Sequence, residues 1–169
     1  MTINDSAQQV DVFLGLGSNL DNPVQQIKTA IESLRKLPNS HWQSASALYR
    51  SAPMGPQDQP DYINAVAWLT TELDAFQLLA QTMQIEQQQG RRRGQHWGAR
   101  TLDIDLLLYG SQCINSEKLT VPHPGMHTRN FVLLPLSELV AEDFEIPGLG
   151  RLDAYLLKSG DDGISRLSS

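Results

Sequence analysis

From Thr101 to Tyr109 the sequence reads TLDIDLLLY, and its alternation restricts what the chain can build. Successive residues of a strand point to opposite faces. Leu102, Ile104, Leu106 and Leu108 therefore share one side, while Thr101, Asp103, Asp105 and Leu107 share the other. The apolar side demands a covering layer. The other side carries two carboxylates whose Cα atoms lie roughly 7 Å apart along a strand. The segment thus predicts a sheet with one face against a core and acidic groups on the opposite face.

The rest of the chain supplies partners for such a sheet. Val10 to Gly17 reads as a buried strand ended by Gly-Ser-Asn. A helix follows, with Asp21 or Asn22 as its cap, Pro23 in its first turn, and Val24, Ile27, Ile31 and Leu34 along one face. Pro38-Asn39 ends it. A second strand is expected over 42–50, a proline-rich loop over 51–60 and a third strand from Tyr62 to Leu73. Asp74 then caps a second helix whose face includes Phe76, Leu79 and Met83, running to Gln89. After the 101–109 strand come a Pro-His-Pro turn and a short helix from Phe131 to Val140. The order β-α-β-β-α-β predicts an α+β (α/β) fold, a ferredoxin-like antiparallel sheet with helices packed on its faces, the first two helices sharing one face. One domain is expected over 10–157, between a flexible extension at 1–9 and a flexible tail at 158–169.

Bulk properties narrow the function. With 169 residues, 40% hydrophobic and 19% charged, the chain has the make-up of a soluble globular domain. A net charge of −6 argues against a general nucleic-acid or membrane-surface binder. The short apolar run 12–16 is no membrane span. Cys113 is the single cysteine, which excludes an internal disulfide and fits a reducing cytoplasm. A monomer in the cytoplasm is the expectation.

Against this acidic background Arg91, Arg92, Arg93 and Arg100 crowd into ten residues. Guanidinium groups bind phosphate bidentately and stay charged, and Gly90, Gly94 and Gly98 would let such a loop open and close. A solvated basic loop and a solvated acidic strand face are the plain alternatives. Together, though, an arginine clamp ten residues ahead of a carboxylate pair assembles the parts of metal-assisted phosphoryl transfer. Gly15-Leu-Gly-Ser-Asn lacks the third glycine of a dinucleotide fingerprint, having Leu20 there, and reads as a decoy with Asn19 structural. Tyr62, Asn64, Trp97 and Phe131 offer flat surfaces and an amide for a planar ligand. His123 and His127, separated by a proline and a glycine, do not form a helical zinc motif. Three readings remain open on these residues alone: a phosphotransferase, a nucleotidyltransferase with the same metal pair, and a non-catalytic ligand- or RNA-binding module.

Four segments in order carry a resemblance. They are Gly17-Ser-Asn-Leu20, Gly55-Pro-Gln-Asp-Gln-Pro-Asp-Tyr62 with Asn64, Trp97-Gly98 with Arg100-Thr-Leu-Asp-Ile-Asp105, and Val121-Pro-His-Pro124 with Arg129 and Phe131. Over 10–157 the chain resembles the 6-hydroxymethyl-7,8-dihydropterin pyrophosphokinases, folate-pathway transferases that move pyrophosphate from ATP to a pterin alcohol. The resemblance implies that Asp103 and Asp105 bind two Mg²⁺ ions, and that Arg91 and Arg100 act with them in catalysis. It places Glu86, Arg91, Arg93, Trp97, Arg100, Ile104, Lys118, Thr120, His123 and Arg129 around ATP. It places Ser51, Ala52, Met54, Tyr62, Asn64, Trp97 and Phe131 around the pterin. His96 stands where the family often has arginine, and the second loop contact falls to Arg92 or Arg93.

Overall fold

The computed structural model describes residues 8–53, 59–90 and 101–167. In chain order its elements are β1 (Val10–Ser18), α1 (Pro23–Arg35), β2 (Ser40–Ala45), β3 (Tyr49–Ser51), β4 (Tyr62–Thr71), α2 (Ala75–Gln88), β5 (Asp103–Tyr109), β6 (Ile114–Asn115), β7 (Thr120–Val121), a 3-10 turn at Met126–Thr128, α3 (Asn130–Ser137), β8 (Glu145–Ile146), β9 (Gly150–Arg151), α4 (Leu152–Ser159) and β10 (Ile164–Arg166). A six-stranded sheet runs β10-β3-β4-β1-β5, with β2 pairing farther along β4, and every pairing is antiparallel. The fold is α+β, and no helix among the described residues is long and apolar enough to cross a membrane.

The period of two along the strands sorts side chains into two cores. Val12, Leu14 and Leu16 of β1, Ile63, Ala65 and Leu69 of β4, and Ile104 and Leu106 of β5 face α1 and α2. Phe13, Val66, Leu107 and Leu108 belong to a second cluster with Val132, Leu133 and Leu136 of α3 and Leu152 of α4. Each fully buried aliphatic side chain removes enough apolar surface from water to contribute roughly 1.5–3 kcal/mol.

Several expectations change. Leu108 does not continue the Leu102–Leu106 face: β5 slips register against β1 between Phe13 and Leu14, so Leu107 is an inserted residue. A bulge reverses the phase of everything beyond it, and Leu107 and Leu108 both join the α3 cluster. The expected 42–50 strand is two strands, because at Ser46 the chain turns to bond Val66, its N–H donating to the Val66 carbonyl (2.9 Å) and its Oγ accepting from the Val66 N–H (2.9 Å). Helix α2 has the predicted Asp74 cap, in a reciprocal box with Gln77. Its buried stripe, however, is Ala75, Leu78, Thr82, Ile85 and Glu86, leaving Phe76 and Met83 about half exposed at 46% and 48%. Helix α1 begins at Pro23 as expected, but Asn22 sits in left-handed backbone and caps nothing with its side chain. Residues 158–167, expected as a flexible tail, finish α4 and supply β10, which pairs with β3.

Candidate functional site

The face of the sheet under α3 is not filled along its whole length. On β1 the residues pointing this way after Phe13 are Gly15 and Gly17. They have no side chains to pack, so a depression remains at the centre of the sheet. Gly15 pairs with Val66 on one side and Asp105 on the other; Gly17 pairs with Asn64 and Asp103. A Cβ added at Gly17 would stand 3.5 Å from Asn64 Oδ1 and 3.8 Å from Tyr62 Cδ1. The glycine pair that the sequence presented as a decoy is thus the floor of a cavity of about 290 Å³. Its signal was available: glycine inside a strand marks a close approach to something else.

The walls come from three elements. Tyr62 and Asn64 rise from β4, Ser51 and Ala52 from the end of β3, and Arg129, Phe131 and Val132 from the start of α3; Asp103 and Asp105 complete the lining. Asn64 is buried, and its Nδ2 donates to Ser51 Oγ at 2.7 Å. Its amide oxygen is on the Gly17 side, an acceptor presented to the cavity. The Arg129 guanidinium lies 5.9 Å from the centre of the Phe131 ring, a cation–π distance that steadies both groups at the mouth.

Asp103 and Asp105 are half-buried residues on the cavity side of β5. His123 approaches from the loop after β7, its Nε2 3.9 Å from Asp105 Oδ1 and its backbone N–H donating to the Leu107 carbonyl at 3.0 Å. Burial, reinforced by the Arg129 guanidinium, holds the His123 imidazole below its ordinary pKa, against opposing pulls from the Pro124 backbone and Asp103. Glu86 is buried on α2, on the other face of the sheet, and its Oε2 accepts from the Ile104 N–H at 2.7 Å. It holds the backbone between the two aspartates. The Ile104 side chain points into the α1/α2 core, so only its backbone can meet a nucleotide. Lys118 and Thr120 sit on the β6–β7 hairpin and do not line the cavity. Met54, Arg91, Arg92, Arg93, Trp97 and Arg100 lie outside the described residues. Asn19 is structural, as expected: buried, it donates to the Pro60 carbonyl at 3.1 Å.

The arrangement offers an acidic pair beside a slot with aromatic and amide walls. Among the described residues no group of three or more His, Cys, Asp or Glu side chains is placed to hold a metal. Two carboxylates suit Mg²⁺, which keeps several waters and is held by one or two carboxylates plus substrate phosphates.

Known proteins resemble this chain over most of its length. Residues 13–141 match the family model described as 7,8-dihydro-6-hydroxymethylpterin-pyrophosphokinase (HPPK). A Haemophilus influenzae 2-amino-4-hydroxy-6-hydroxymethyldihydropteridine pyrophosphokinase is 49% identical over 138 residues, covering 82% of this chain and 86% of the relative. A Pseudomonas aeruginosa protein of the same name is 44% identical over 156 residues, covering 92% and 96%. Among solved structures, Plasmodium falciparum HPPK-DHPS with pteroate superimposes with a TM-score of 0.75 at 12% identity, over 98% of this chain and 48% of that one. The chain thus spans about half the length of that two-part protein, and the likeness at this identity concerns the fold.

Proposed function

Because the chain belongs to the 7,8-dihydro-6-hydroxymethylpterin-pyrophosphokinase family, we propose that the cavity under α3 is where its chemistry takes place. The protein transfers pyrophosphate from ATP to the hydroxymethyl group of 6-hydroxymethyl-7,8-dihydropterin, giving the pterin diphosphate and AMP, a step of folate biosynthesis. The observation that carries the site assignment is that Asp103 and Asp105 line the same cavity as Tyr62, Asn64 and Phe131. Acceptor and phosphate chemistry then meet in one place.

In this reading the pterin ring lies between Tyr62 and Phe131, and the Asn64 amide oxygen accepts from a ring N–H. The hydroxymethyl oxygen forms a bond to the β-phosphorus while the bond from that phosphorus to the AMP oxygen breaks. AMP leaves with the electron pair, and the hydroxyl proton passes to Asp105 or to water. Asp103 and Asp105 would hold two Mg²⁺ ions, which when bound neutralise the phosphates and ease the approach of the alcohol. His123, kept neutral by burial, can donate or accept a hydrogen bond at the phosphates without adding charge. Arg91, Arg93, Arg100 and Trp97 keep the nucleotide and closure roles that the family resemblance implies. Among the described residues no side chain is a dedicated base, so positioning and electrostatics supply most of the acceleration.

Product analysis tests this reading. Incubation with Mg²⁺-ATP and the pterin alcohol should yield AMP and pterin diphosphate in equal amounts, whereas release of pyrophosphate would point to nucleotidyl transfer. Further parts of the proposal are a ferredoxin-like reading of the strand order β5-β1-β4-β2/β3 and a monomeric, cytoplasmic protein, checked by sedimentation and fractionation.

A further inference from the structure

The two walls of the acceptor slot belong to segments far apart in sequence. Ser51 ends β3 and Ala52 follows it, while Arg129 precedes α3 and Phe131 and Val132 lie in its first turn. The segment joining them comes from the last described residues of the chain. At the turn before β10, the Asp162 carbonyl accepts from Asn130 Nδ2 at 3.0 Å, and the Gly163 carbonyl accepts from the Ala52 N–H at 3.4 Å. Asn130 stands between Arg129 and Phe131 in sequence, so one turn grips both walls at the cavity. Gly163 has φ +73, in the left-handed region that favours glycine. Beyond the turn, Ile164 pairs with Ser51, whose Oγ accepts from Asn64.

A second tie closes the frame at the other end of α3. Glu138, immediately after α3, accepts from the Ala47 N–H at 3.0 Å through Oε1 and from the Tyr49 hydroxyl through Oε2. Arg166 of β10 reaches the same carboxylate, Nη2 to Oε1 at 3.6 Å. Helix α3 is thus bound at its first residue to the C-terminal turn, and at its end to β3 and β10. These bonds tie the aromatic wall to the Ser51–Ala52 wall at both ends of α3, beside the packing of Val132, Leu133 and Leu136 on the sheet.

We propose that the C-terminal segment 161–167, with Asn130 and Glu138, is a strap that sets the separation of the acceptor-slot walls. Asn130 and Glu138 are positioning residues for the pterin half of the site. The inference rests on the assignment of this cavity to the pterin. Its effect should fall mainly on one substrate: the carboxylates of β5 lie on the opposite side of β1 from the strap, and of the residues that the resemblance places around ATP, Arg129 alone adjoins Asn130 in sequence.

The test is steady-state kinetics in both substrates on Asn130→Ala, Glu138→Ala and Glu138→Gln, with thermal melts to establish that each is folded at the assay temperature. Loss of one such bond should raise KM for the pterin about fivefold or more, with KM for ATP changed less than about twofold. Glu138→Gln keeps an acceptor for Ala47 and a polar partner for Tyr49, so it should restore most of the pterin affinity lost in Glu138→Ala. An unchanged pterin KM in both alanine variants, or KM values that rise together for the two substrates, would overturn the strap as a positioning device. Asn64→Ala run alongside separates the two levels. If it too leaves the pterin KM unchanged, the cavity assignment has failed and the strap falls with it; if it raises the pterin KM while the strap variants do not, the strap alone is wrong.

Discussion

The two faces of the central sheet are made from alternate residues of the same strands, yet they have opposite characters. Toward α1 and α2, β1 presents Val12, Leu14 and Leu16, all nearly or fully buried and packed without interruption. Toward α3, the same strand presents Phe13, then Gly15 and Gly17, and the surface opens into a cavity edged by Asp103, Asp105 and Asn64. One face is filled for stability. The other is left unfilled where β1 meets β4 and β5, with polar groups around the gap. Substitutions one residue apart on β1 or β5 should therefore fail in different ways.

The sharpest contrast is expected between Asp103 of β5 and Leu14 of β1. Asp103→Ala should lower kcat by about 10³-fold or more, since a lost metal anchor removes several kcal/mol of transition-state stabilisation, while the melting temperature stays near that of the parent. Rapid-quench measurement of AMP together with a thermal melt reads both quantities. Leu14→Ala, on the opposite face, should lose about 3 kcal/mol of stability and leave KM and kcat of the folded enzyme close to normal. Urea unfolding with kinetics at low temperature checks it. A Leu14 variant that is stable but catalytically damaged would break the comparison.

Filling the cavity floor gives a smaller effect on binding alone. Gly17→Val places side-chain atoms against Asn64 and Tyr62 and should weaken pterin binding about tenfold or more, as overpacking a fitted space costs about 1–3 kcal/mol. Calorimetry with the pterin alcohol measures this.

Much of this arrangement was legible in the sequence, and the exceptions have physical causes. The β5 alternation placed both aspartates on one face because strand period is independent of what packs on the strand. The Leu107 bulge was not legible, since an inserted residue in an all-leucine run changes neither composition nor local propensity. Helix α2 carries two apolar stripes, and only packing against β5 decides that Leu78 and Ile85 go inside rather than Phe76 and Met83. Gly15 and Gly17 match the start of a nucleotide-loop motif, which hides the other use that a central-strand position gives them. Residues 161–167 are mostly polar, with Ile164 and Leu167 too few to read as a strand, and only their pairing with β3 reveals them as part of the sheet.

The smallest expected effect sharpens the stability side. Burial, with the hydrogen bond and charge of Glu138 adding to it, pushes the Tyr49 hydroxyl up to about 12 from 10.0. A raised pKa means that the folded state holds this proton more tightly. Its stabilising contribution is complete below pH 10 and is lost as pH rises toward 12. Chemical denaturation across that window should show stability falling in the parent, and less steeply in Tyr49→Phe.

In the proposed function the carboxylate pair and the aromatic–amide slot form one reaction site with divided roles. This is tested most directly by the Asp103→Ala/Asp105→Ala double variant, measured for Mg²⁺-dependent AMP formation and for pterin binding on the same preparation. AMP formation should fall by about 10³-fold or more with pterin affinity retained within a few-fold. Near-normal turnover, or pterin binding lost together with activity in a folded protein, would contradict it.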